Sequence, residues 1–80
     1  MIVYLWDATG PDRRSRGVTD KKDRALSLAG ECLLRGADSA YVEVASFTLG
    51  VMTIHHYDRM GTGWRGRCID GRVMWEPWPL

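Results

Sequence analysis

Eight basic side chains are the groups in this sequence best placed to engage a partner. Arg13, Arg14, Arg16, Lys21 and Lys22 crowd one stretch, and Arg65, Arg67 and Arg72 crowd another. Residues 13–24 carry six Lys and Arg against two Asp, an excess of four positive charges. Residues 59–72 carry four Arg against one Asp, an excess of three. The formal net charge of the chain is only +1, so the remaining residues hold an excess of six negative charges. A chain that is nearly neutral can still turn a basic face outward, and such a face attracts phosphates in a salt-dependent way. Arg13 to Thr19 also leads into a predicted helix N-terminus, whose free backbone N–H groups favour an anion. The competing reading is that these arginines merely solvate a loop and the outer face of a sheet.

The other reactive groups point away from catalysis. His55 and His56 are neighbours in a predicted strand, where consecutive side chains face opposite ways, so they cannot share one ion. His56 and Asp58 share a face, but two ligands without a third make no metal site. Cys32 and Cys68 are the only cysteines, too few for a secreted disulfide scaffold and without CxxC spacing. Both read as small core residues. No Ser/His/Asp order, P-loop, dinucleotide fingerprint or spaced carboxylate pair occurs, and Gly61-Thr62-Gly63 reads as a turn. The expectation is a protein that is not an enzyme, with no cofactor, no metal and no small-molecule substrate.

Length supports that expectation. The 80 residues suffice for one domain. A domain of this size buries roughly 60% of its unfolded surface and has no spare volume for a deep substrate cavity. Four Trp and three Tyr help so small a core to close. The apolar start, Met1 to Trp6, is short, lacks a basic leader and runs into Asp7, so no signal peptide is expected. No stretch approaches the roughly 20 apolar residues of a membrane span. A cytoplasmic protein with no membrane contact follows as the expectation.

The elements that must position the basic groups are read from periodicity. Ile2 to Asp7 is β-branched and aromatic, and predicts a central strand covered on both faces. Ala8 to Gly17, with its Gly, Pro and Asp, predicts a loop. A helix is predicted over Thr19 to Arg35, capped by Thr19 or Asp20, with Ala25, Leu26, Ala29, Cys32 and Leu33 as one apolar stripe. Gly36 suits a left-handed C-terminal cap. Tyr41 to Thr48 and Val51 to Asp58 predict strands around a turn near Leu49-Gly50, whose type leaves their register open. Met60-Gly61-Thr62-Gly63 predicts a further turn.

The final hairpin is better specified. Asp70-Gly71 signals a type I′ turn that pairs Ile69 with Arg72, Cys68 with Val73, Arg67 with Met74, Gly66 with Trp75 and Arg65 with Glu76. Trp64, Gly66, Cys68, Val73 and Trp75 then share a core face, with Trp75 over the bare backbone of Gly66. Arg65, Arg67, Ile69, Arg72, Met74 and Glu76 take the other. Trp78, between Pro77 and Pro79, either caps the core edge or is presented to a partner. The predicted fold class is α+β: one helix on a mainly antiparallel sheet of four to five strands, ordered β-α-β-β-β with or without a further strand.

Two segments carry a resemblance. Trp6-Asp7-Ala8-Thr9-Gly10-Pro11-Asp12-Arg13-Arg14-Ser15-Arg16-Gly17-Val18-Thr19, and Gly61-Thr62-Gly63-Trp64 with Trp75, resemble a family of small uncharacterised actinobacterial proteins. Members of that family often occur near integrase genes on mobile elements. The resemblance implies a cytoplasmic bacterial protein with a role beside DNA. Separately, Gly63-Trp64-Arg65-Gly66-Arg67 ahead of Asp70-Gly71 is similar to the first hairpin of the arm-binding domain of tyrosine integrases. That domain has its helix after three strands, whereas here the helix comes before them, so the likeness covers a hairpin pattern alone.

The functional expectation is a small non-catalytic accessory or regulatory protein. It would contact DNA or RNA through Arg13, Arg14, Arg16, Lys21, Lys22, Arg65, Arg67 and Arg72. The alternative is a protein-interaction module, a homodimer or a binder of another protein, working through a strand edge or the Trp78 tail.

Overall fold

β-Branched and aromatic side chains favour extended backbone because they pack well on a pleated surface, and the first such run forms strand β1 (Ile2–Thr9). The computed structural model describes residues 1–49 and 55–79. After β1 come β2 (Arg14–Thr19), α1 (Lys22–Leu34), β3 (Ser39–Leu49), β4 (His55–Ile69) and β5 (Arg72–Trp78). The strands form one antiparallel sheet in the order β2-β1-β3-β4-β5. The fold is therefore α+β, as expected, with the helix lying on one side. A shortest principal extent of 17 Å leaves room for one sheet and one helix layer only.

The helix is held by small side chains. Ala25, Ala29 and Leu33 are buried against Ala8, Ala40 and Val42 of the sheet. Gly30 is also buried, and a Cβ there would sit 3.8 Å from Val73 Cγ1. Leu26 and Cys32 flank the buried line, as the predicted stripe requires. At the C-terminus Gly36 adopts φ +109°. The Ala37 N–H donates to the Cys32 carbonyl at 3.0 Å, and the Gly36 N–H to the Leu33 carbonyl at 3.2 Å. Those two bonds define a Schellman cap.

Two tryptophans lie flat over glycines on this covered face. Trp6 pairs across strands with Gly17, where a Cβ would meet its Nε1 at 2.7 Å. Trp75 pairs with Gly66, where a Cβ would meet the indole at 2.5 Å. The final hairpin has the predicted register throughout, with Asp70 at φ 52° and Gly71 at φ 76°. Those angles are what a type I′ turn demands.

Four expectations need correction. The element order is β-β-α-β-β-β, because Arg14 to Thr19 forms an edge strand where a loop was expected. Arginine, Ser and Gly have weak strand propensity, but an edge strand needs only one partner, and here β1 supplies it over six residue pairs. Thr19 consequently belongs to β2, and Lys21 is the N-cap, without a side-chain capping bond. Thr19 Oγ1 accepts instead from the Lys21 N–H at 3.3 Å. β1 lies inside the sheet as expected: Tyr4, Trp6 and Ala8 face the helix, while on the other side Val3 is buried beside Ala45 and Leu5 and Asp7 are half-buried.

The third correction concerns Met60-Gly61-Thr62-Gly63, which lies within β4. Glu43 pairs with Gly63 and Ala45 with Arg59, so residues 60–62 form a bulge opposite Val44, with Gly61 at φ 72°. The fourth is Cys68, which is exposed one residue pair before the Asp70-Gly71 turn, although its cross-strand partner Val73 packs against the helix cluster. Leu49 ends β3 as expected, while residues 50–54, and with them the start of the second predicted strand, lie outside the described residues.

Leu33 is 2% exposed, whereas Leu26 is only partly buried. We therefore expect Leu33→Ala to lower stability by about 2–5 kcal/mol, and Leu26→Ala by less. Gly63→Ala should be worse than an ordinary strand substitution, because its Cβ would fall inside the Val42 carbonyl oxygen of the neighbouring backbone. Urea midpoints of the three variants check the order; equal midpoints for Leu33→Ala and the parent would refute the packing described.

Candidate nucleic-acid interface

Successive strand side chains point to opposite faces, so fixing the helix-covered set fixes the other. Tyr4, Trp6, Ala8, Ala40, Val42, Trp64, Val73 and Trp75 pack toward α1. The helix-free face therefore receives Arg14, Arg16 and Val18 from β2 and Leu5 and Asp7 from β1. Tyr41 and Glu43 come from β3, Arg59, Arg65 and Arg67 from β4, and Arg72, Met74, Glu76 and Trp78 from β5. Six arginines meet three carboxylates, leaving an excess of three positive charges on one side of the sheet.

Each carboxylate is tied to arginine. Arg14 Nε donates to both Asp7 oxygens at 3.0 Å, and its Nη2 also contacts Oδ2. This pairing, above all the hydrogen bond from Arg14, holds the Asp7 carboxyl below the usual carboxylate range, against an opposing contribution from partial burial. Arg59 Nε lies 3.3 Å from Glu43 Oε1. Glu76 Oε1 accepts from Arg65 at 3.0 Å and from Arg67 at 3.3 Å. Arg16 and Arg72 make no ion pair among the described residues.

Five of the eight predicted site residues share this face: Arg14, Arg16, Arg65, Arg67 and Arg72. Arg13 instead lines a hollow on the helix side with Ser15, Cys32 and Arg35. Lys22 Nζ stands 4.6 Å over the Trp64 ring, a cation–π contact that helps to seat the start of the helix. Lys21 is exposed beside it, at the N-cap. The expected basic patch at residues 13–24 is thus divided by the sheet, since alternation along β2 separates neighbours in sequence. Arg13 to Arg16 do not form one surface with the helix start.

Arg59 and Tyr41 belong to the open face but were not among the predicted site residues. The signal for Tyr41 was present: Ala40 and Val42 alternate with Tyr41 and Glu43, small and apolar against amphipathic and charged. For Arg59 there was a signal too: it lies an even six residues before Arg65, and the bulge at 60–62, which sets three residues against one, keeps that parity. Trp78 continues β5 on the open face and is 40% exposed; it does not cap the covered core.

Among the described residues no three His, Cys, Asp or Glu converge as a metal site; the His55 and His56 side chains lie outside that set. Cys32 and Cys68 are free thiols. No described helix is long and apolar enough to cross a membrane. No family model, curated protein or solved structure matches the chain.

The depressed Asp7 carboxyl makes a pH prediction. A carboxyl whose folded pKa lies below its unfolded value stabilises the fold above the unfolded value, and that stabilisation vanishes as pH falls through the folded one. Asp7→Asn should therefore be less stable than the parent at neutral pH, with the gap narrowing below about pH 4. Urea midpoints across that range report it; a gap independent of pH would mean that the Asp7–Arg14 pair contributes nothing.

Proposed function

We propose that this is a small non-catalytic accessory protein that contacts nucleic acid with the helix-free face of its sheet. The observation supporting this reading is the projection of Arg14, Arg16, Arg59, Arg65, Arg67 and Arg72 from one side of five strands. Adjacent strands lie about 4.8 Å apart, so β2 and β4, three spacings from each other, set their arginines about 14 Å apart. Phosphates along a backbone can engage both rows at once. Asp7, Glu43 and Glu76 hold arginine heads in place and limit the charge excess to three. The cytoplasm is the compartment that suits such a role.

The competing proposal, a protein-interaction module, draws on the exposed Ile69 and Met74 near the β5 edge. Sedimentation discriminates between the two: apolar self-association is indifferent to salt or tightens with it, whereas phosphate binding weakens steeply.

Replacing Arg14 and Arg16 together by Ala, and separately Arg65, Arg67 and Arg72, should lower affinity for random-sequence DNA. Each set should also flatten the dependence on salt, because fewer counterions are released. Arg13→Ala with Lys21→Ala, on the other side, should change affinity little. Equal losses in all three variants would place binding elsewhere. An absence of DNA and RNA binding by the parent at low salt would remove the reading altogether.

A further inference from the structure

The helix-free face is not uniformly charged, and its uncharged part bears on which nucleic acid it takes. A groove of about 670 Å³ runs across it from β2 to β5. Leu5, Val18 and Tyr41 line it between the Arg14–Asp7 and Arg59–Glu43 pairs, and Trp78 lines it from β5. Val18 is 49% exposed, Tyr41 44% and Trp78 40%, so apolar and aromatic surface faces solvent between the arginines.

Building on the nucleic-acid reading, we infer that the occupant of this groove is a single strand, with bases stacked on Tyr41 and Trp78 and phosphates on the flanking arginines. Duplex DNA is read by a helix or a two-stranded ribbon entering a groove. Here α1 lies on the opposite face from the arginines, and a duplex groove entered by the β4–β5 ribbon would reach Arg67 and Arg72 but not Tyr41 of β3 or Val18 of β2. A duplex resting on the sheet would meet the arginines through phosphates only, leaving Tyr41, Trp78 and Val18 uncovered. A single strand offers both halves of what this face displays, since its unstacked bases have apolar faces and its backbone is anionic.

Charge agrees in magnitude. Phosphate-driven duplex binders make roughly 6–10 backbone contacts. Six arginines opposed by three carboxylates supply an excess of three on this face. Three phosphate contacts with a single strand give a slope of log affinity on log salt of about −2. Stacking must supply the rest of the affinity, and stacking does not release counterions.

The test uses the full chain and labelled oligothymidylate, an abasic strand of equal length and a random duplex, each at several salt concentrations. The inference expects oligothymidylate to bind more tightly than either competitor, with a slope near −2. Tyr41→Ala and Trp78→Ala should each weaken oligothymidylate about fivefold to a hundredfold while leaving the slope unchanged. Tyr41→Phe and Trp78→Phe, which keep a ring, should restore most of that loss, and urea midpoints identify any variant whose fold has changed. Equal affinity for the abasic strand, or preference for the duplex, overturns the single-strand assignment while leaving the nucleic-acid reading intact. Failure of all three probes, and of a random-sequence RNA, to bind at low salt overturns both.

Discussion

The helix lies on the sheet through side chains of one carbon or none, and most of the molecule's arrangement depends on that close approach. Ala25 and Ala29 have no exposed surface, and they face Ala8 and Ala40, which have almost none. Gly30 is buried near Val73, where even a Cβ would stand at ordinary contact distance. Small residues bring the helix axis close to the strands, and large side chains cannot fit beneath it. The indoles of Trp6 and Trp75 therefore lie to either side, each over a glycine of the neighbouring strand. Substituting bulk under the helix would push it off both tryptophans at once, because interiors are packed too densely to absorb an added methyl group freely.

The helix lies over one sheet face, and much of the rest follows from which side it takes. The face under the helix receives Ala8, Ala40, Val42 and three of the four tryptophans, while Ala45 is buried with Val3 on the other. Where that other face meets water it carries six arginines and three carboxylates. Like charges facing each other across strands are destabilising, and Asp7, Glu43 and Glu76 offset this by sitting beside arginines of adjacent strands. Such exposed pairs contribute little stability individually. Their larger effect is to hold guanidinium groups in position above the sheet.

The edges of the sheet are defended in different ways. β2 presents Arg14 and Arg16 at one edge, and charged side chains there discourage pairing with another chain. β5 carries Pro77, which has no N–H to offer. The bulge at residues 60–62 interrupts β4 beside the centre of the sheet, and Gly63 next to it admits the Val42 carbonyl. The bulge adds an even number of residues, so Arg59 keeps the face it shares with Arg65 and Arg67.

Much of this architecture was written in local patterns. The helix, its apolar stripe and its Gly36 cap follow from 3.6-residue periodicity and from one residue suited to positive φ. The β4–β5 register follows from Asp70-Gly71, because a two-residue turn leaves a single pairing. Trp75 over Gly66 comes with it, as does the placement of Arg65, Arg67 and Arg72 away from the helix. Those are short-range constraints, settled within a turn or a hairpin. Other features needed the assembled sheet. β2 has little strand propensity and exists because β1 pairs with it; the bulge at 60–62 looks like a turn until β3 lies alongside. Cys68 has a core residue's parity, yet is exposed near the hairpin tip. Most of all, Arg13 and Arg14 are neighbours in sequence on opposite sides of the molecule, whereas Arg16 and Arg59 share a groove. Which basic residues form one surface depends on strand pairing across the whole sheet, and no local pattern carries that information.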